Sequence, residues 1–174
     1  MKCATRPTRS LAVGIALSLA PLAATGAQAR FNAGIGAAIP IGASADEVNP
    51  GYSMLVSFAM RPHFFTRNQL RFEFGSNSLP ERAVPNVSRS VLTGTANLVI
   101  IRDPAARPLG YSIVGFGTYQ KSGSVPRRSS QGVNLGAGMQ FTLGFFGAFL
   151  EARLHYIHDA NKTKYFPMTF GLTF

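Results

Sequence analysis

Two stretches of the sequence place charged side chains at alternate positions. Arg71 and Glu73 are two residues apart, and Glu151, Arg153 and His155 repeat this spacing further along the chain. Side chains two residues apart point to the same face of a β-strand. Buried carboxylates and guanidinium groups must be paired, because an unpaired charge away from water is costly. The spacing therefore predicts a buried ion-pair cluster that plugs the space around it.

The same five residues also allow a gated or proton-sensitive path through the protein. In that interpretation His155 is the titrating group, because histidine changes its charge near neutral pH. Both interpretations require all five side chains to point into one enclosed interior. The elements that carry them must then be strands that curve around it.

Other chemical motifs in the sequence are weak. The three histidines, His63, His155 and His158, lack metal-ligand spacing, and the chain has a single cysteine. The paired glycines never form the G-x-G-x-x-G pattern of a nucleotide site. The order of segments matches no nucleic-acid-binding fold. We predict no catalytic residue, no metal, no cofactor and no nucleic-acid partner.

The composition and its periodicity favour a β protein. Hydrophobic residues make up 46% of the 174 residues and charged residues only 14%, against about 25% in an average soluble domain. Eight runs alternate apolar with small or polar residues, as does a strand with two different faces. The runs are Phe31–Ile41, Gly51–Met60, Asn68–Gly75, Arg89–Ile101, Leu109–Gln120, Gln131–Leu143, Gly147–His158 and Tyr165–Phe174.

The connections between the runs predict an up-and-down order. Longer polar loops alternate with shorter turns, so neighbouring strands would be antiparallel. The loops are Gly42–Pro50, Ser76–Ser88, Lys121–Ser130 and Asp159–Lys164, and the turns are Arg61–Arg67, Arg102–Pro108 and the region of Gly144. Runs of about 10 residues match a tilted crossing of a bilayer. We predict an all-β fold, an eight-stranded antiparallel up-and-down transmembrane β-barrel over residues 30–174.

A soluble barrel of the lipocalin or streptavidin type would also have about eight alternating strands. Its outer face would be charged, but here the less apolar face is rich in Gly, Ser, Thr, Asn and Gln and has only the five ionisable residues of the predicted cluster. That face suits a narrow polar interior, and the apolar face suits lipid, where charges are costly. Aromatic residues near the run ends form either interfacial girdles or ordinary core. They are Tyr52, Tyr111, Tyr119, Tyr165 and Phe174.

Residues 1–29 have the organisation of a cleavable secretory signal peptide. Lys2, Arg6 and Arg9 precede an apolar stretch, which ends near the small-residue site Ala27-Gln28-Ala29. A signal anchor is the rival interpretation, but Pro21 interrupts an apolar run that is short of the ~20 residues of a spanning helix. We expect cleavage, with residues 30–174 forming the exported domain.

The C-terminus ends in a phenylalanine preceded by apolar residues at alternate positions. The set is Phe166, Met168, Phe170, Leu172 and Phe174. This pattern resembles the assembly signal of bacterial outer-membrane barrels. The chain as a whole resembles the small eight-stranded family that includes outer membrane protein X and the OmpA transmembrane domain. The resemblance implies location in a Gram-negative-type outer membrane, recognition by the barrel-assembly machinery, and contact with outer-membrane lipid and lipopolysaccharide.

Basic residues of the longer loops are candidates for contact with phosphorylated lipid headgroups, because arginine pairs bidentately with phosphate. The candidates are Arg82, Arg89, Lys121, Arg127, Arg128, Lys162 and Lys164. A solvated rim is the simpler alternative for them.

Three functions remain open at this point. The favoured one is a structural or ligand- and envelope-interaction barrel with a plugged lumen. A narrow channel for small or hydrophobic solutes is the second. The third is lipid A modification, since some small barrels are deacylases with a His-x-Ser pair. Here Ile157 follows His155 and Ala160 follows His158 at that position, so the expected nucleophile is missing. The sequence indicates neither a ligand nor an oligomeric state.

Overall fold

A computed structural model of the protein describes residues 28–84, 86–123 and 126–174. Residues 1–27, and with them nearly all of the predicted signal peptide, lie outside the described residues. Eight strands and one short helix make up the fold. They are β1 (Gln28–Pro40), α1 (Ser44–Glu47), β2 (Gly51–Arg61), β3 (Gln69–Pro80), β4 (Ser88–Ile101), β5 (Leu109–Ser122), β6 (Arg128–Leu143), β7 (Phe146–Ile157) and β8 (Lys164–Thr173).

The strands form a closed antiparallel barrel in chain order, which confirms the predicted fold class. The seam between β1 and β8 closes it, with Asn32 opposite Thr173 and Pro40 opposite Tyr165. Both ends of the described chain and the turns after β2, β4 and β6 lie at one end of the barrel, which we call the turn end. The connections after β1, β3, β5 and β7 lie at the other, the loop end. No helix in the described part of the chain is long and apolar enough to cross a membrane.

The hairpins at the loop end are longer than the sequence predicts. Strand β3 continues to Pro80, which pairs with Ser88 of β4, and β5 continues to Ser122, with Lys121 opposite Arg128 of β6. The predicted loops Ser76–Ser88 and Lys121–Ser130 therefore shrink to residues 81–87 and 123–127. Continued pairing gives the backbone N–H and C=O groups hydrogen bonds within the sheet, whereas in a loop they would bond to water. The polar composition of these segments is equally typical of loops, so the sequence pattern does not show that the strands continue.

Apolar side chains cover the outer wall of the barrel, as the alternation predicts. Ile35, Phe74, Phe116 and Leu135 are each more than 60% exposed, whereas Ser57, Asn97 and Glu151 point inward and are buried. The outward positions carry mostly apolar residues, whereas the inward positions mix polar residues with apolar ones such as Val99, Ile113 and Phe149. Successive side chains of a strand point to opposite faces, so only one set can fill the narrow interior. A wall of this kind buries its apolar surface only when lipid or another apolar phase surrounds it.

The structure divides the five aromatic candidates between the two interpretations, interfacial girdle and core. Tyr111, Tyr119 and Tyr165 were candidates for an outer girdle, but their side chains lie inside the barrel with at most 6% exposure. Only Tyr52 and Phe174 lie on the outer surface, at 57% and 64% exposure. The inner face of β5 also carries Ile113. Because both faces of this strand have apolar residues, alternation alone does not indicate which face points inward.

Glycines make room where the strands approach closely inside this narrow barrel. A Cβ atom on Gly36 would lie 1.8 Å from the carbonyl oxygen of Met168 across the β1–β8 seam. One on Gly115 would lie 2.1 Å from Oδ1 of Asn97. Neither position accepts a side chain without movement of its neighbours, as is common for a strand glycine that another chain segment approaches closely.

Candidate functional site

Four charged side chains from β3 and β7 meet in the middle of the barrel. Both guanidinium Nη atoms of Arg153 donate to the carboxylate of Glu73, at 2.8 and 2.5 Å. Arg71 donates from Nη2 to Oε2 of Glu151 at 2.5 Å, and Arg153 also contacts Glu151 directly. All four side chains are at most 6% exposed. With His155 they form the lumenal cluster, in which two cations face two anions.

His155 lies on the loop-end side of these ion pairs and is held by aromatic residues. Its Nδ1 atom is 2.9 Å from the hydroxyl of Tyr119, and its ring stacks on that of Tyr165 with centroids 4.8 Å apart. A third tyrosine, Tyr111, donates to Glu151 at 3.0 Å from the opposite side. Tyr111 and Tyr119, which the sequence leaves open between an outer girdle and the core, thus form hydrogen bonds with the lumenal cluster, as buried tyrosines commonly do.

The space on either side of the lumenal cluster is small. A cavity towards the turn end, next to Arg71 and Tyr111, has a volume of about 20 Å³, as does one towards the loop end next to Glu73 and His155. A single water molecule needs ~10–15 Å³ measured in this way. Each cavity therefore has room for about one water molecule, so the side chains fill the barrel at this level, as expected for eight strands.

An apolar cluster closes the barrel at the loop end. Its fully buried members are Ala38, Val48, Leu79, Val91, Tyr119, Ile157 and Tyr165. Val48 follows α1 in the first loop and forms an isolated bridge to Glu81, so this loop folds over the mouth. This closure was not predicted from the sequence. The available signal was the parity of two residues: Val91 lies at an inward position of the predicted fourth run, and Leu79 does so in β3 once that strand is extended beyond Gly75.

Ion pairs tie the loops together above the apolar cluster. Arg89 donates to Glu47 at 2.6 Å and lies 3.6 Å from Glu81. Lys121 pairs with Asp159, which also accepts hydrogen bonds from the backbone and hydroxyl of Thr163. Partial burial acts to raise the pKa of Asp159, but hydrogen bonds from Lys121 and Thr163 outweigh it, so this pKa lies below its usual value.

The candidate headgroup contacts fall into two groups in the structure. Arg89 and Lys121 are occupied by carboxylates of the protein itself and are largely buried. The remaining candidates are exposed around the loop end. They are Arg82, Arg127, Arg128, Lys162 and Lys164. Lys164 lies over the ring of Tyr156, 5.5 Å from its centroid.

The residues of the C-terminal pattern lie on the outer face of β8. Met168, Phe170, Leu172 and Phe174 are 37–64% exposed, and Phe166 is half-buried beside them. Phe174 exchanges two backbone hydrogen bonds with Phe31, at 2.8 and 3.1 Å, and so completes the seam with β1. The last residue of the chain is therefore part of barrel closure.

His155 and His158, the candidates for the histidine of a deacylase-like His-x-Ser pair, have different environments. His155 points into the lumen and cannot meet a lipid acyl chain on the outer surface. His158 is exposed on the outer surface beside Thr118, Gln131 and Tyr156, in a groove whose lining contains neither a serine nor a carboxylate. The His-Ser-carboxylate arrangement of a deacylase is not assembled by the residues that line this groove.

Comparison with known proteins identifies the architecture. No family model and no curated protein sequence matches the chain. Among solved structures, the crystal structure of neisserial surface protein A superposes with a TM-score of 0.71, at 13% identity over 85% of this chain and 97% of that one. The fold is that of a small outer-membrane barrel.

A second protein with this fold is Ail, the attachment invasion locus protein of Yersinia pestis. Its crystal structure gives a TM-score of 0.50 at 16% identity, over 84% of this chain and 99% of that one. Its backbone structure in a phospholipid nanodisc gives 0.50 at 13% identity. Both neighbours are outer-membrane barrels of Gram-negative bacteria, and the barrel described here has the same architecture over nearly their full length.

Proposed function

We propose that the chain is an integral protein of the Gram-negative outer membrane with a structural or envelope-interaction role and no open pore. The observation that carries this proposal is the filled interior. The four charged side chains of the lumenal cluster form ion pairs with one another, and only water-sized cavities lie on either side. The apolar cluster at the loop end adds a second closure. The proposal assigns the protein no catalytic role.

The loop end is the surface that would meet partners. One neighbour is by name a surface protein and the other an attachment protein, and both have the fold of this chain. The exposed cations of the loop end, Arg82, Arg127, Arg128, Lys162 and Lys164, would contact phosphate groups of lipopolysaccharide. Arg89 and Lys121 are left out of this contact, because Glu47, Glu81 and Asp159 already hold them.

Conductance in planar bilayers tests the closed lumen. The wild-type barrel is expected to show no steps above the background of protein-free membranes, because ions cannot pass the paired charges. The double variant Glu73→Gln, Glu151→Gln should also stay at background, since the side chains keep their volume. Regular steps in the wild type would overturn the plug and favour the narrow channel, and steps in the double variant alone would favour the gated path.

Phe174 is expected to matter for assembly in the cell. We propose that the outer face of β8 is read by the barrel-assembly machinery, with Phe174 at the end of the strand. Phe174→Ala should lower the heat-modifiable, folded fraction in the envelope severalfold. The matched control is Phe116→Ala, which removes a similarly exposed phenylalanine from β5. Equal losses for both variants would indicate lost lipid contact and contradict an assembly role specific to β8.

A further inference from the structure

Three arginines converge on the mouth of the barrel at the turn end. Arg30 and Arg61 lie at inward-facing positions where β1 begins and β2 ends, and Arg107 comes from the turn between β4 and β5. All three line one cavity together with Gln69, Gln140 and Thr142. We call this cavity the basic cup. It lies outside the ion-paired region, on the turn-end side of Arg71.

The arginines of the basic cup have no carboxylate partner among the described residues. Arg30 donates only to the amide oxygen of Gln140, at 3.4 Å, and Arg107 donates to the backbone carbonyls of Pro104 and Ala106. The Nε atom of Arg61 is buried and has no hydrogen-bond partner. Asp103 is the one acidic residue at the turn end, and it accepts from the backbone N–H of Ala105.

This arrangement contrasts with every other partly buried cation cluster described for the barrel. Arg71, Arg89, Lys121 and Arg153 each face at least one carboxylate. Three guanidinium groups that share one cavity repel one another, and a buried donor without a partner is costly. An anion in the cup would relieve both effects. Guanidinium is also the side chain best matched to the oxygens of phosphate, which it binds as a planar fork.

The shape of the basic cup sets where an anion would stop. Its volume is about 120 Å³, several times what one water molecule needs, whereas the next cavity inward has about 20 Å³. Gln69 and Gln140 line both cavities, so the cup narrows at their level. A phosphate group fits at the mouth and cannot pass Arg71. The site would bind its anion without transporting it.

We propose that the basic cup is a binding site for a phosphate group that enters from the turn end. The group is either free phosphate or the headgroup of an anionic phospholipid in the adjacent leaflet. This proposal goes beyond a closed envelope barrel, since a plugged lumen needs no ligand at its mouth. The two proposals are tested independently. If the barrel conducted ions, the closed lumen would be disproved but the arginines of the basic cup would still be present, and if the cup bound no phosphate, the closed lumen would be unaffected.

Calorimetric titration of the mature chain in uncharged maltoside micelles tests the site, with inorganic phosphate and short-chain phosphatidylglycerol as the two probes. The wild type is expected to bind at least one probe, and Arg61→Gln with Arg107→Gln should weaken binding about tenfold or more. The matched control is Arg67→Gln with Arg102→Gln, which removes the same charge from exposed turn positions outside the cup. It should change affinity less than twofold.

The outcomes separate the sources of the phosphate group. Tighter binding of phosphatidylglycerol than of phosphate assigns the site to a lipid headgroup, and equal binding assigns it to the free anion. Arg107→Gln alone keeps the test valid if the double variant does not fold, because Arg107 lies in a turn and is exposed. No binding of either probe by the wild type would overturn the proposal. An equal loss in the Arg67, Arg102 control would overturn it as well.

Discussion

Replacement of Arg153 by methionine is expected to lower the free energy of unfolding by about 3–5 kcal/mol. The change removes two hydrogen bonds to Glu73 and the contact with Glu151. Glu73 would then be a buried carboxylate whose nearest cation is Arg71, at 3.9 Å. Urea titration followed by far-ultraviolet circular dichroism measures the loss in detergent micelles, because the unfolding free energy falls linearly with denaturant.

Two further variants identify the cause of that loss. Adding Glu73→Gln to Arg153→Met removes the unpaired charge, so the double variant should be more stable than Arg153→Met alone. Arg127→Met removes an exposed arginine at the loop end and should cost less than about 0.5 kcal/mol. If Arg153→Met were as mild as Arg127→Met, the cluster would not be holding the interior together.

Leu135→Arg is expected to cost about 2–4 kcal/mol when the barrel is folded into phosphatidylcholine vesicles. Leu135 lies near the middle of β6 and is 62% exposed on the outer wall. Its neighbours across the sheet, Val114 and Leu154, also face outward. An arginine here would be surrounded by hydrocarbon and would have to bend towards the headgroups to reach water.

A matched substitution near the rim shows whether depth in the membrane is the reason. Gln131 occupies the same outer face of β6, four residues nearer the loop end. Gln131→Arg should cost only about 0–1 kcal/mol, because the charge reaches the interface. Similar costs for Gln131→Arg and Leu135→Arg in vesicles would contradict a lipid-facing position for the middle of β6.

Much of the fold could be predicted from alternation, because the constraint acts on each strand separately. In β7 and β8 one face must be apolar towards lipid, and the other must fit a narrow interior. Glu151, Arg153 and His155 therefore point the same way whatever the neighbouring strands are. In β5 alternation is not sufficient. Large apolar or aromatic residues lie at both parities, Tyr111 and Ile113 at one and Val114 and Phe116 at the other, and only the closed barrel decides which pair faces inward.

The ends of the barrel are harder to predict than its middle. The alternation predicts strands that begin at Phe31 and end at Met60, one residue short of Arg30 and Arg61, so it misses both inward-facing arginines of the basic cup. At the loop end, polar composition suggests loops where β3 and β5 continue as paired strands. Strand ends depend on whether the partner strand continues, and a single segment carries no information about its partner.

Composition and alternation alone predict the class of this protein: eight alternating strands, an apolar outer wall, and a few charges on the inner face. These follow from side-chain period and from the cost of charge in lipid, which are local properties. Which side chains contact one another depends on the closed barrel. Arg153 pairs with Glu73, 80 residues away in the sequence, and Tyr119 is hydrogen-bonded to His155. Arg107 lines the basic cup together with Arg30 and Arg61. Barrel closure determines these contacts, because strand register and curvature depend on all eight strands at once.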